Sequence, residues 1–230
     1  MISHKHKCIF IHISKCAGTS IEKAFGINTS SYLHADHDQL FGWDENLKLH
    51  LQHATPQQLI DLNLISKDQW STYYKFIVYR NSWDKLLSDY FWTGRSYKIE
   101  DSFKNYLKRK GKFSNILNNT QNHLYCGNHL ALQKDYFYLN GQKIVYDAEI
   151  NFDSLQIGLN RVIEDLNLNS DFFNVMANVN PIKKNHYSYY YNWKTRNLVS
   201  RIYKEDIDFF RFKFEYKNII LKYFNKYAIK

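Results

Sequence analysis

At 230 residues, 44% hydrophobic and 23% charged, the chain is long enough for one sizeable core but cramped for a second complete one, so a single domain over 1–230 is expected. With 17% aromatic residues, only 2 Pro and 8 Gly, and no repeat or low-complexity stretch, the composition excludes a disordered or linker-rich protein. The formal charge of +9 favours anionic partners (nucleotides, nucleic acid, acidic glycans, a lipid surface), although a Lys- and Asn-rich composition supplies the same excess without any function.

The N-terminal "MISHKHKCIFIHI" holds an apolar run far below the roughly 20 residues that span a bilayer, and no small-residue cleavage site follows. Neither a transmembrane anchor nor a secretory leader is expected. Residues 8–13, "CIFIHI", predict a buried strand, because β-branched and aromatic residues dominate a run of strand length. A helix is predicted from about Gly18 to Phe25. Residues 75–79, "KFIVY", predict a second buried strand that ends at Arg80. "NSWDKLLSDYFW" then starts a helix, with Asn81 or Ser82 as N-cap and Asp84 in the first turn, where the helix dipole favours negative charge. Trp83, Leu86, Leu87 and Tyr90 fall on one face of it, and Asp84 and Ser88 on the other. Residues 143–152, "KIVYDAEINF", predict a further strand, and "DSLQIGLNRVIEDLNL" a helix on which Leu155, Leu159, Val162, Ile163 and Leu166 recur at helical spacing. The C-terminal "KFEYKNIILKYFNKYAIK" scatters its charge along an amphipathic segment.

Strands alternating with helices predict an α/β fold with a central parallel sheet covered on both faces. In such sheets ligands bind at the carboxyl ends of the strands, where Lys15 and Arg80 fall. Cys8, Cys16 and Cys126 are odd in number and share no ligand spacing, which predicts free thiols in a reducing, cytoplasmic compartment.

Between the first strand and its helix lies "SKCAGTS". The ATP-type loop G-x-x-x-x-G-K-[ST] places lysine after its last glycine and a hydroxyl on magnesium. Here Lys15 precedes Gly18, and Thr19 and Ser20 open the helix. The backbone N–H groups from Ala17 to Ser20 can still face an anion, since a helix N-terminus leaves donors unpaired and carries partial positive charge. No carboxylate and hydroxyl arrangement suits magnesium. The loop therefore predicts a metal-free site with lysine as main cation, for a nucleotide whose transferable group carries less charge than a terminal phosphate, such as a sulfonate. A plain structural turn is the competing reading. Downstream, Arg80 and Ser88 can bring a guanidinium and a hydroxyl to one phosphate. Taken singly, the first is equally at home in an ion pair and the second in solvent.

Together, "FIHISKCAGTSI" and "IVYRNSWDKLLSDYFW" resemble the two cofactor-binding motifs of the carbohydrate sulfotransferase superfamily, particularly the branch of uronyl and heparan sulfate 2-O-sulfotransferases and many bacterial members. The resemblance implies a P-loop-NTPase-like three-layer fold, with 3′-phosphoadenosine 5′-phosphosulfate (PAPS) as donor, 3′-phosphoadenosine 5′-phosphate (PAP) as product and no metal. It implies that Lys15, Ala17, Gly18, Thr19 and Ser20 hold the 5′-phosphosulfate, and Arg80 and Ser88 the 3′-phosphate. "NTQNHLY", "INFDSLQIGL", "NVNPIKKNHYSYYYNW" and "IYKEDIDFFRF" extend the likeness over most of the chain with falling specificity, and Lys183 and Lys184 stand where the family's cofactor-covering loop lies. Ser14 and Cys16 replace residues that are often Pro and Thr in the family. The acceptor implied is a carbohydrate, a glycan or glycolipid; nucleic acid is not expected as a partner, and peripheral membrane contact is compatible with the charge.

Sulfonyl transfer to a sugar hydroxyl needs a base for the acceptor O–H, in-line positioning and cationic stabilisation of the leaving phosphate oxygen. Lys15 is the expected cation. "HADHD" and "LHLQHATPQQL" offer four histidines, whose charge changes near working pH. The related 2-O-sulfotransferases use a histidine between the two motifs, in a segment resembling "QHATPQQL", which ranks His53 first and His50 second. Glu22 ranks third: some sulfotransferases use a glutamate from this helix, but its offset from Lys15 differs by one residue, about 100° of helix rotation. His34 and His37, beside Asp36 and Asp38, have spacing that suits metal, yet a polar loop accounts for them. Two other classes stay open: a P-loop kinase-like ATP enzyme, and a non-catalytic basic module that binds glycan or nucleic acid through aromatic stacking. Trp43, Trp92, Tyr189 and Tyr190 either stack on a sugar ring or fill a core.

Overall fold

The structure, a computed structural model, describes residues 1–174 and 185–217. In chain order the first elements are β1 (Ile2–Ser3), β2 (Cys8–Ile11), α1 (Gly18–Ala24), β3 (Trp43–Asp44), β4 (Leu49–His50), α2 (Pro56–Asp61), α3 (Lys67–Thr72) and β5 (Tyr74–Tyr79). Next come α4 (Ser82–Ser96), α5 (Phe103–Leu107), α6 (Ser114–Asn118), β6 (Tyr138–Leu139), β7 (Gln142–Lys143) and β8 (Ala148–Asn151). The last are α7 (Leu155–Asp165), α8 (Trp193–Ile202) and α9 (Lys204–Phe210).

These elements pack as two compact units. The first takes Met1–Arg80, Thr120–His123 and the described residues from 135 to 174; the second takes Asn81–Asn119, Leu124–Lys134 and the described residues from 185 to 217.

The first unit is a mixed α/β layer structure around a four-stranded sheet of order β1-β2-β5-β8. β2, β5 and β8 run parallel, with Phe10 opposite Phe76 and Phe76 opposite Ala148, and β1 adds an antiparallel edge. Every residue of β2 is buried, as are Phe76, Ile77 and Val78 of β5. This two-faced burial is why both strands read as uninterrupted apolar runs. Helix α7 packs on β8 so closely that a Cβ on Gly158 would lie 2.4 Å from Ile150.

The strand expected over 143–152 is corrected to two pieces. Only Ala148–Asn151 joins the sheet, while Gln142–Lys143 pairs with Tyr138–Leu139 in a separate hairpin. Between them Val145 is 87% exposed, so the apolar letters of "IVY" do not report a buried strand. On α7 only Leu159 and Val162 of the expected stripe are buried.

In the second unit Asn81 is the N-cap of α4, its side chain accepting from the Trp83 N–H. Leu86 and Leu87 of that helix pack with Phe103, Tyr106, Phe113, Leu117 and Val199 in an aromatic-rich core. The opposite face of α4 is buried too, including Asp84, Ser88 and Asp89, so the competing reading of Ser88 as a solvated residue does not hold. Burial of Asp89 is compensated by hydrogen bonds from the Tyr106 hydroxyl at 2.8 Å and His129 Nδ1 at 2.9 Å. Lys183, Lys184 and the amphipathic stretch beyond residue 217 lie outside the described residues. Among the described residues, no helix is long and apolar enough to cross a membrane.

Candidate active site

Because β2 and β5 are parallel neighbours, the chain leaves both at the same edge of the sheet, and the Lys15 loop comes to lie beside Arg80. Arg80 Nη1 donates to the Lys15 carbonyl at 2.8 Å, and the guanidinium sits 3.9 Å from the centroid of the Phe152 ring. Lys15 and Ala17, flanking the buried Cys16, both have positive φ, 63° and 64°. Each such residue costs of order 1–3 kcal/mol and persists only where its surroundings over-determine it. Here the surroundings include the Arg80 clamp.

The positive φ at Ala17 turns the chain directly into α1, which has no side-chain cap. The Ser20 and Ile21 N–H groups return to the Ala17 carbonyl, whereas those of Ala17, Gly18 and Thr19 donate to no acceptor among the described residues. A concave run of N–H donors beside a lysine is an anion nest.

The space under Gly18 is filled by His12. A Cβ on Gly18 would fall 1.8 Å from His12 Nε2, so this position takes glycine because a ring lies against it, not because of its backbone angle. His12 Nδ1 is 2.7 Å from Glu22 Oε1, and both groups are buried, Glu22 to 1% exposure. The carboxylate accepts, so Nδ1 carries the proton. Glu22, one turn along α1 from Gly18, is thus directed into the interior against His12.

His53 joins the same cluster. Its ring centroid is 4.5 Å from that of His12, and its Nδ1 lies 3.2 Å from the His12 carbonyl. A carbonyl can only accept, so Nδ1 bears the hydrogen and neutral His53 keeps its lone pair on Nε2. The local sequence accounts for the placement. In "HATPQQ", Thr55 caps α2 by accepting from the Gln58 N–H at 3.2 Å, Gln58 Oε1 accepts from the Thr55 N–H at 2.9 Å, and Pro56 opens the helix. The Tyr136 hydroxyl donates to the His53 carbonyl at 3.2 Å, pinning the turn before the cap. The residue is 9% exposed.

The remaining predicted residues are arranged as follows. His50, on β4, commits Nε2 to the His123 carbonyl at 2.9 Å and packs against Trp43, ring centroids 4.9 Å apart. Arg80 closes the first unit, and Ser88, on α4, belongs to the second. The Ser88 hydroxyl has no hydrogen-bond partner among the described residues although the residue is only 8% exposed. His37 pairs with Asp44 at 2.7 Å, while His34 is exposed. Trp43 is buried, and Trp92 and Tyr190 pack against the core of the second unit. All three cysteines are buried and none is in a disulfide, and burial pushes the Cys8 and Cys126 thiols up to about 12. Cys8 and Cys126 are therefore protonated packing groups at neutral pH.

His12 is the residue that sequence reasoning missed. Its signal was a single polar side chain inside an otherwise apolar strand-like run.

The family model described as the sulfotransferase family matches residues 1–213. Neither the curated proteins nor the solved structures give a match.

Proposed function

The chain belongs to the sulfotransferase family, and on that premise we propose that it transfers the sulfonate of PAPS to a hydroxyl of a carbohydrate, a glycan or glycolipid, on a P-loop-like fold of the 2-O-sulfotransferase branch. The observation that carries this reading is the strained Lys15–Ala17 turn, whose N–H groups lie beside a lysine at the carboxyl edge of a parallel sheet. Lys15, Ala17, Gly18, Thr19 and Ser20 hold the 5′ end of the donor, and Arg80 and Ser88 its 3′-phosphate. Lys183 and Lys184 remain candidates for covering the donor. Placement in the cytoplasm belongs to the same proposal.

The donor supplies the sulfonate, and no metal is required of it. His53 Nε2 takes the proton of the acceptor hydroxyl as that oxygen bonds to sulfur. Lys15 neutralises the charge that appears on the phosphate oxygen as its bond to sulfur breaks, leaving PAP. The His12 carbonyl supports this role by fixing the His53 tautomer, and Glu22 acts at one remove, through His12. His50, which donates from Nε2 to the His123 carbonyl and packs against Trp43, is the second base candidate.

A thermal-shift titration tests the donor reading. PAP raises the melting temperature without magnesium, and Lys15→Ala loses most of the shift; stabilisation by ATP with magnesium alone would overturn the reading in favour of a kinase-like enzyme.

A further inference from the structure

We propose that the groove between α5 and α8 in the second unit is a docking site for an anionic oligosaccharide segment. The groove has a volume of about 410 Å³ and is lined by Lys104 and Lys108 on one side, by Trp193, Lys194 and Arg201 on the other, and by Leu198 at its base. No carboxylate lines it.

The pattern follows from helix geometry. Lys194, Leu198 and Arg201 stand at i, i+4 and i+7 on α8, one stripe down one face, and across from them stand Lys104 on α5 and Lys108 at the C-cap of that helix. Lys194 and Arg201 are therefore about 10 Å apart along the axis, at 1.5 Å per residue. The apolar residue of the stripe is buried and the cations are exposed. Among the described residues none of the four cations is in an ion pair, although the chain contains 22 acidic residues to offer them. Four unneutralised cations around one concavity favour a ligand that carries several negative charges along its length.

Trp193 narrows the class. It is 67% exposed at the mouth of the groove, with Lys194 Nζ 5.7 Å from its ring centroid. A large exposed aromatic face next to cations suits a sugar ring whose apolar face stacks while its carboxylates or sulfates reach the lysines and Arg201. A single-stranded nucleic acid is less well matched, because its binding surfaces stack successive bases on several aromatics and this groove offers one. The choice of a glycan among polyanions rests on the carbohydrate reading of the acceptor; the groove itself does not.

The probe is a fluorescently labelled heparin octasaccharide, titrated against the full chain in the absence of donor, with a neutral maltooligosaccharide and a dT20 strand in parallel. Binding of the octasaccharide is expected to weaken with salt and to fall at least roughly tenfold, about 1.4 kcal/mol, in Lys104→Glu/Arg201→Glu, where two exposed attractions are reversed in sign. Trp193→Ala is expected to lose about threefold to tenfold. Lys5→Glu/Lys67→Glu, which removes the same charge outside the groove, is expected to bind as the parent does. An equal loss in both double variants, or a dT20 affinity above that of the octasaccharide with the same dependence on the groove residues, would overturn the proposal. The PAP-induced thermal shift is recorded on every variant. Its persistence in the groove variants shows that they fold, and its absence from the parent chain would count against the donor reading while leaving the groove result intact.

Discussion

Gly18 is fixed by its neighbour. The His12 ring occupies the place a Cβ would take, so Gly18→Ala forces either the ring or the start of α1 to move. Overpacking of this kind costs about 1–3 kcal/mol. His12→Ala is destabilising for another reason, since it leaves the buried Glu22 without its partner. Because the two substitutions act on one volume, the double variant is expected to be less destabilised than the sum of the singles, by at least about 0.5 kcal/mol in a denaturation cycle. Strict additivity would show that the ring does not fill that space in solution. At this scale the sequence exposed the candidates but not their relations. Lys15 and Gly18 were singled out by the loop and His53 by the family resemblance, whereas the contact between His12 and His53 joins residues 41 apart and leaves no local trace. Glu22 was weighed as a base from its position on a helix; its partner His12, across the strand-to-helix turn, decides where its carboxylate lies.

The turn that presents His53 depends on the cap of α2. Thr55→Ala removes the acceptor for the Gln58 N–H and is expected to cost about 0.5–2 kcal/mol, read from chemical denaturation. If the cap also fixes the histidine, turnover falls with donor binding unchanged; an undisturbed melting curve would show that the capping box contributes little. β2 and β5 were legible because their buried residues form short unbroken apolar runs, whereas the capping box of α2, although its four residues are contiguous, was not read from the sequence. The interval before β8 was not legible. Ile144, Val145 and Tyr146 carry strand-like letters, but Ile144 and Tyr146 are buried by contacts outside the sheet, the Tyr146 hydroxyl donating to the Tyr136 carbonyl at 2.5 Å. The burial of the polar face of α4 was not legible for a related reason. An amphipathic pattern identifies the face that is apolar, and it does not reveal that Asp89 on the other face has Tyr106 and His129 as buried partners.

Across the whole molecule, the parallel sheet brings the ends of β2 and β5 together, and with them the Lys15 loop and Arg80. The sheet was predictable from alternation of strand and helix, because parallel pairing needs a crossover between neighbours. The division of the described chain into two units was not, since no Pro-, Gly- or Ser-rich stretch marks Arg80, Asn119 or Lys134 as a boundary. Family membership makes sulfonate transfer the activity to measure, and the proposed site makes a specific demand on it. The direct measurement is transfer of labelled sulfonate from PAPS to a panel of acidic and neutral oligosaccharides by the parent chain, Lys15→Ala and His53→Asn. The account predicts transfer by the parent without added metal, a loss of about 10²–10³ in turnover for Lys15→Ala, and a loss of about 10²–10⁴ for His53→Asn with PAP binding retained. Transfer at the parental rate by Lys15→Ala, or no transfer to any sugar by a parent chain that binds PAP, would contradict it.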